Sequence, residues 1–338
     1  MVDKYELMER ACQKLVDDPN NGVHSAGIGL KIVSGKECPI EAIVCQVAKK
    51  KPISALKMEE MIPKSVSVTG DDGITYEFLT DVEESPPNKV ELLHVGDPKM
   101  NSIQYAQTKQ DADVISQLRS CMSPVILGGA QVAPKGARWV GTLSCAVKVG
   151  SDYYSLSNSH VYYGGEMQIG TPICQPHGQS GEYGKLTKHH PISLDKNASN
   201  LIDAAIALDS RWSSTKKELY VPPKQFKIGR INPEYYKESQ IKLGMQVQKV
   251  GRTTGYQVGR VVRIKETTFV GYDKGTARYI KQIVIRKDSG NFSDAGDSGS
   301  LILDMDNRPV ALLFAGGGAD TIASPIEFVV DALKLEFF

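Results

Sequence analysis

Apolar and polar residues follow two different periods along this chain, and each period predicts a different kind of element. Over residues 4–17 the apolar side chains share one helical face and the charged ones the other, which predicts a helix that ends in the turn sequence at 17–22. Strands and one short helix are then predicted as far as residue 96, and together they indicate a small α+β accessory domain over residues 1–96. The three strands and the short helix lie at 28–33, 42–47, 74–79 and 58–62.

Residues 97–124 are polar and have little periodicity outside residues 114–118, so they predict a linker that carries one short helix. From residue 125 onwards, short β-rich runs are separated by glycines. That pattern is typical of an all-β barrel or sandwich. The predicted strands lie at 141–147, 153–156, 204–208, 246–250, 258–264, 282–285, 301–303 and 310–314.

The end of the chain predicts a C-terminal helix over residues 325–336. Ser324 has the capping type of side chain, Pro325 suits the first helical position, and Glu327 follows three residues after the serine. These three residues together make a helix-start signature.

Composition and charge exclude several classes of protein. A net charge of +1 over 338 residues argues against nucleic acid or an anionic membrane as a partner. No apolar run approaches the roughly 20 residues of a membrane span, and the charged start of the chain lacks the apolar core of a signal peptide. Six cysteines are scattered without a CxxC pair, which indicates free thiols rather than a zinc site or a disulfide framework. The expectation is a cytoplasmic protein.

The most informative motif is Gly296-Asp297-Ser298-Gly299-Ser300, which precedes an apolar run. Glycines on both sides of a serine allow a tight turn and a close approach of backbone to substrate. The same residue types also make ordinary surface turns, so the motif alone leaves both interpretations open.

A serine nucleophile needs a base, and the base needs a third group to orient it. His160 is the best-placed histidine, because it follows a predicted strand, whereas His177 and the pair His189-His190 lie in loop-like sequence. Asp203 begins an otherwise apolar strand, where a carboxylate is costly to bury without a partner. By itself, Asp203 could equally cap a neighbouring loop.

These segments resemble those of the chymotrypsin-type serine proteases, in which the residues follow the order His, Asp, Ser. Residues 157–161 resemble the segment around the family's histidine, residues 203–206 its aspartate strand, and residues 296–300 its nucleophile loop. This resemblance covers about residues 125–338. The chain resembles bacterial trypsin-like proteases and plant narrow-leaf proteins more closely still, in segments at 27–33, 41–44, 61–64, 141–143 and 251–255.

The resemblance implies a mainly β protein in which residues 125–338 form two Greek-key six-stranded β-barrels, at about 125–212 and 225–323. It implies that His160, Asp203 and Ser298 form a catalytic triad in an intracellular endopeptidase. The backbone N–H groups of Gly296 and Ser298 would then form the oxyanion hole. It implies a protein or peptide substrate and neither a metal nor an organic cofactor.

The resemblance also locates a substrate pocket, formed by Phe292, Ser293, Asp294, Ala315, Gly316 and Gly317. Phenylalanine near the pocket floor argues against cleavage after Lys or Arg, and Ala315 with Gly316 argues for an open, largely apolar pocket. The expectation is therefore a small or apolar side chain at P1, the residue before the cut. Asp294 would place a negative charge in this pocket if insertions shifted the loop that contains it. Asp297 matches the aspartate that pairs with a newly cut N-terminus in secreted members. Residues 126–129 are either such a cleavage site or a glycine turn.

Two other functions stay open at this point. One is a protease-like fold that serves as a latent regulatory or binding module, and the other is an esterase. The N-terminal domain is expected to bind substrate, to restrain the active site, to mediate homo-oligomerisation or contact with an activating partner, or simply to pack against the barrels.

Overall fold

The computed structural model describes residues 3–120, 128–176, 181–209 and 228–338. Its helices are α1 (Lys4–Asp17), α2 (Lys109–Ser120), α3 (Ser159–Tyr162) and α4 (Ile326–Leu333). The strands before residue 120 are β1 (Val23–Val33), β2 (Lys36–Val47), β3 (Ser65–Thr69), β4 (Thr75–Glu84), β5 (Asn88–Val90) and β6 (Leu93–His94). The next seven are β7 (Gln131–Pro134), β8 (Trp139–Thr142), β9 (Ala146–Val149), β10 (Asp152–Ser157), β11 (Pro172–Cys174), β12 (Glu182–His189) and β13 (Ala205–Asp209). The last six are β14 (Gln246–Gly251), β15 (Gly255–Tyr272), β16 (Gly275–Arg286), β17 (Leu301–Leu303), β18 (Pro309–Gly317) and β19 (Asp320–Pro325).

The C-terminal strands close into a barrel. Strands β14, β17, β18, β19, β16 and β15 pair in that order, and β15 pairs again with β14. The interior of this barrel is filled by apolar side chains that include Val247, Ile285 and Leu313. A second sheet has the order β6-β8-β7-β11-β12-β13-β10-β9. The mainly β class predicted from the sequence is therefore confirmed.

The N-terminal strands extend the sheet of the C-terminal barrel. Strand β15 is 18 residues long, and one edge pairs first with β14 and then, over residues 263–268, with β1. The order continues through β2, β4 and β3. Helix α1, predicted from its period, packs its apolar face on β1 and β2. Division of the chain at residue 96 stays a prediction, but backbone hydrogen bonds cross that boundary.

A buried charge network lies where the N-terminal strands meet the barrel. Arg263 of β15 is almost fully buried and pairs with Glu266 at 2.9 Å, Asp320 at 2.6 Å and Glu83 of β4 at 3.3 Å. Burial raises the pKa of Asp320, but the charges of Arg263 and Arg286 outweigh it and lower that pKa to about 2. Since a buried charge is stable only when paired, this network ties the two parts of the sheet together.

The structure differs from two of the sequence predictions. Residues 97–124 contain α2, but its apolar residues Val114 and Leu118 pack in the main core, so this helix is part of the folded body. The C-terminal helix starts at Ile326 rather than at residue 325 and ends at Leu333 rather than at residue 336. Ser324 lies in β19, where its hydroxyl donates to Gln282 at 2.8 Å instead of capping the helix.

No helix in the described ranges is both long and apolar enough to cross a membrane. The five cysteines of these ranges are free thiols: Cys12, Cys38, Cys45, Cys145 and Cys174. Burial raises the pKa of Cys145 to about 12, which keeps this thiol unreactive near neutral pH.

We expect Asp320→Asn to lower the free energy of unfolding at neutral pH by about 3–5 kcal/mol, because Arg263 and Arg286 lose a buried counter-charge. Since the folded pKa of about 2 lies below the ordinary 3.8, this stabilisation is present above pH 3.8 and disappears as the pH falls toward 2. Urea unfolding at several pH values measures both effects. Asp71→Asn is the control, because the ion pair of Asp71 with Arg10 is exposed and should contribute little.

Candidate active site

His160 lies in the single turn of α3, immediately after strand β10 ends. Its ring Nδ1 is 2.5 Å from Asp203 Oδ2, and its backbone N–H donates to Asp203 Oδ1 at 3.1 Å. Both side chains are buried. The carboxylate thus holds both the ring and the backbone of the histidine, which sets the imidazole orientation. The structure thus brings into contact two of the residues that the sequence singled out.

Tyr272, at the end of β15, is a further partner of the pair that the sequence did not reveal. Its hydroxyl donates to Asp203 Oδ2 at 2.9 Å and lies 2.6 Å from the hydroxyl of Tyr279. Burial and the negative charge of Asp203 raise the pKa of Tyr272 well above its ordinary value. The tyrosine therefore stays protonated and can donate to the carboxylate, which compensates for its burial.

The other ring nitrogen of His160 is unoccupied. Nε2 is buried, and among the described residues it has no hydrogen-bond partner. With Nδ1–H donating to the carboxylate, a neutral imidazole has its lone pair on Nε2. The ring is thus set up as a proton acceptor that faces away from Asp203.

The backbone of the nucleophile loop requires its glycines. Gly296 and Gly299 both have φ of +98°. A Cβ at 296 would collide with the side chains of Thr253 and Arg252, and one at 299 would collide with the carbonyl oxygen of Thr142. The loop is also bonded to strand β8, since Thr142 N–H donates to Ser298 O at 2.8 Å.

Asp297 anchors this loop inside the protein. Its carboxylate is fully buried and lies 2.9 Å from the ammonium of Lys249. It also accepts from Thr253 N–H at 2.9 Å and from the Thr254 hydroxyl at 2.7 Å. Lys249 therefore supplies the cation that a newly cut N-terminus was expected to supply in the processing alternative. Residues 126 and 127 of that alternative, like His177, lie outside the described residues.

Ser298 is buried, and its hydroxyl is bonded to a backbone oxygen of β18. Its Oγ donates to the carbonyl oxygen of Phe314 at 3.0 Å. Gly141 of β8 lies between the two parts of the site, because a Cβ there would collide with Val161 and approach the carbonyl oxygen of Ser298. Helix α3 and the loop of Ser298 thus both contact β8, and among the described residues no hydrogen bond joins the Ser298 hydroxyl to His160.

One predicted oxyanion donor is already occupied. The N–H of Gly296 donates to the carbonyl oxygen of Glu91 at 2.6 Å. Glu91 comes from the short segment between β5 and β6, far away in the sequence. An acceptor oxygen therefore lies where the sequence predicted that the oxygen of a substrate would bind.

The six predicted pocket residues have different environments. The ring of Phe292 is fully buried in the barrel core, so it is not at the pocket floor. Asp294 pairs with Lys99 at 3.1 Å and with the hydroxyl of Tyr105, so its charge is directed to residues 97–105. Ala315 is buried in the core as well. The remaining three contact the segment that contains Glu91: Ser293, Gly316 and Gly317.

A scan against models of protein families found no match, and a search of curated proteins found none either. The search of solved structures did find relatives. The chain is similar in structure to chymotrypsin-like bacterial serine proteases.

One of these structures is a glutamic acid specific serine protease described as using a histidine triad in substrate binding, with 16% identity, a TM-score of 0.46 and coverage of 63% of this chain and 100% of that one. Thermobifida fusca Protease A has 17% identity and a TM-score of 0.44, with coverage of 63% and 98%. The Nocardiopsis protease NAPase has 17% identity and a TM-score of 0.45, with the same coverage. Since these TM-scores are below 0.5, the functional assignment depends on the site's own geometry.

We expect Lys249→Met to lower the free energy of unfolding by about 3–5 kcal/mol, because it leaves the Asp297 carboxylate buried without a cation. The double variant Lys249→Met/Asp297→Asn removes both charges and should recover part of this loss. Chemical denaturation of the wild type, Lys249→Met, Asp297→Asn and the double variant measures the coupling. Equal losses in the single and double variants would show that the ion pair does not support the loop.

Proposed function

We propose that this chain is a serine endopeptidase in which Ser298 is the nucleophile, His160 the general base and Asp203 the group that orients the base. The observation that carries the proposal is the buried His160–Asp203 contact of 2.5 Å, with Nε2 left without a hydrogen-bond partner among the described residues. A serine hydroxyl is unreactive at neutral pH unless such a base is available. A structural histidine would have no need of an unpaired buried nitrogen.

In the proposed reaction the Ser298 hydroxyl turns from Phe314 O toward His160 Nε2 and gives up its proton as Oγ attacks a peptide carbonyl. The oxyanion is stabilised by the N–H groups of Gly296 and Ser298, each worth about 3 kcal/mol. His160 then gives the proton to the leaving amine, and water hydrolyses the acyl-enzyme by the same route in reverse. The substrate is a protein or peptide.

A latent state of the enzyme, one of the alternatives from the sequence, is supported by a specific observation. The hydroxyl of Ser298 and the N–H of Gly296 are both bonded within the protein. A change that frees these two groups has to precede turnover. An intracellular setting and activation by a partner through the N-terminal strands stay predictions.

We expect a fluorophosphonate probe to label the wild-type chain slowly and only at Ser298, with the modified peptide identified by mass spectrometry. Ser298→Ala should abolish labelling. Ser300→Ala is the matched control from the same loop, because its hydroxyl donates only to the Asp297 carbonyl, and it should still be labelled.

Absence of labelling under all conditions would contradict the proposal and favour an inert scaffold. Labelling together with ester turnover but no peptide turnover would favour the esterase. If labelling occurs, Asp203→Asn should reduce the labelling rate by a factor on the order of 10⁴, because the imidazole loses the partner that sets its tautomer.

A further inference from the structure

The segment from Asn88 to His94 crosses the cleft between the two sheets. On one side of Glu91, β5 runs antiparallel to β18, with Val90 opposite Ala315. On the other side, β6 runs antiparallel to β8, with Leu93 opposite Val140. An extended peptide that pairs with both walls of a cleft binds in the way that a substrate strand does.

The backbone of Glu91 lies at the reactive groups. Its N–H donates to Phe314 O at 3.3 Å, and its carbonyl oxygen accepts from Gly296 N–H at 2.6 Å. The hydroxyl of Ser298 donates to the same Phe314 oxygen. The nucleophile and the Glu91 peptide therefore converge on one acceptor, while the Glu91 carbonyl occupies the oxyanion donor. This is the register of a P1 residue.

The side chain of Glu91 fills a pocket of hydroxyl groups. Its Oε1 accepts from Ser293 Oγ at 2.5 Å, and that hydroxyl lies 2.6 Å from Thr321 Oγ1. A Cβ on Gly316 would overlap Oε1, so the glycine makes room for this side chain. Two hydroxyls at this depth suit the carboxyl or carboxamide end of a side chain with the length of glutamate.

Leu92, the residue after Glu91, lies on the same side of the cleft as His160, the proposed base. Leu92 and His160 line the same cavity of about 300 Å³, which also borders Val90. The amine released by a cut after Glu91 would belong to Leu92. The leaving nitrogen is thus on the same side of the cleft as the histidine that has to protonate it.

We propose that the segment Asn88–Leu93 is the chain's own first substrate: it blocks the cleft with Glu91 at P1 and is cut at the Glu91–Leu92 bond. The pocket around Glu91 then selects glutamate or glutamine at P1 in other proteins. This inference rests on the proposed function. It replaces the small or apolar P1 side chain expected from the sequence, because Phe292 and Ala315 lie in the core and the space at Gly316 holds the carboxyl group of Glu91.

The step is a hydrolysis within one chain. Ser298 Oγ bonds to the carbonyl carbon of Glu91, and its proton passes through His160 to the nitrogen of Leu92 as the C–N bond breaks. Water then cleaves the ester and restores the serine hydroxyl. The products are a carboxylate at Glu91 and a new amino terminus at Leu92, which are no longer linked and can separate from the cleft.

The test is the intact mass of the purified full-length chain during incubation. We expect fragments 1–91 and 92–338 to appear together, their summed mass exceeding that of the chain by one water. Ser298→Ala should remain intact. Glu91→Gln should still be cut, because a carboxamide fits the same hydroxyls, whereas Glu91→Lys should slow the cut at least 100-fold. Glu59→Lys is the matched control, since it makes the same charge change at an exposed residue outside the segment, and it should be cut at the wild-type rate.

The outcomes separate this inference from the proposed function. If the wild type is labelled at Ser298 but stays uncut, or if Glu91→Lys is cut as fast as the wild type, the internal-substrate inference is overturned and the protease assignment stands. If Ser298 is never labelled and the chain is never cut, the protease assignment itself fails. A peptide library cleaved mainly after apolar residues would overturn the pocket assignment.

The strength with which the segment Asn88–Leu93 docks in the cleft should also depend on pH. Burial first, and then the negative charge of Asp297, raise the pKa of Glu91 to about 8; the hydrogen bond from Ser293 and the charge of Lys249 oppose this rise, and Asp294 adds a smaller increase. Because the folded pKa is above the ordinary 4.5, docking is strongest below pH 4.5 and weakens as the pH rises through 8. Hydrogen exchange of the backbone amides of residues 88–93, corrected for intrinsic rates, measures how firmly the segment is docked at each pH. The Ser298→Ala variant is used so that the segment stays uncut. In the double variant Ser298→Ala/Glu91→Gln, the protection of residues 88–93 should be independent of pH. An unchanged pH dependence would contradict the role of Glu91.

Discussion

The buried ion pair between Asp297 and Lys249 is the interaction on which the rest of the site depends. It holds the loop in which Gly296 turns its N–H into the cleft and in which Ser298 stands beside β8. Thr253 and Thr254 donate further hydrogen bonds to the carboxylate of Asp297, so both of its oxygens have donors. The same negative charge acts on Glu91, which makes the pocket poor at holding an ionised side chain. The Asp297 carboxylate thus anchors the loop and, after burial, contributes most to the raised pKa of Glu91.

The long strand β15 connects that site to the N-terminal part of the chain. One edge completes the barrel and then accepts β1, while Tyr272 at its end reaches the carboxylate of Asp203. The Arg263 network fastens the same strand to β4 and β19. Strand β5 is hydrogen-bonded to both β15 and β18, so the N-terminal strands place Glu91 in the cleft. The accessory elements therefore act on the site through shared sheet edges rather than through a separate interface.

The hydrogen bonds of the site follow from this connection between the N-terminal strands and the cleft. The Nε2 of His160 has no partner among the described residues, and the Ser298 hydroxyl is bonded to Phe314 O. The carbonyl oxygen of Glu91 satisfies an N–H that would otherwise be buried without an acceptor. Occupation by the chain's own backbone thus stabilises the loop and blocks it at the same time.

Sequence alone was sufficient where a short stretch of residues carries the information. The period of residues 4–17 predicted α1, and the glycine-separated β runs predicted a mainly β protein. The order His160, Asp203, Ser298 selected the groups of the site from local motifs and a resemblance. Ser324 shows the limit of such signals, since its capping pattern was overridden by a place in β19. The partners Glu91, Lys249 and Tyr272 were not found, because each contacts the site from a distant element and no local spacing marks it. Only the folded sheets decided that Phe292 points into the core, that Lys249 neutralises Asp297 and that Glu91 fills the pocket. Burial and pairing of charges are properties of neighbours in space, and the linear sequence does not contain those neighbours.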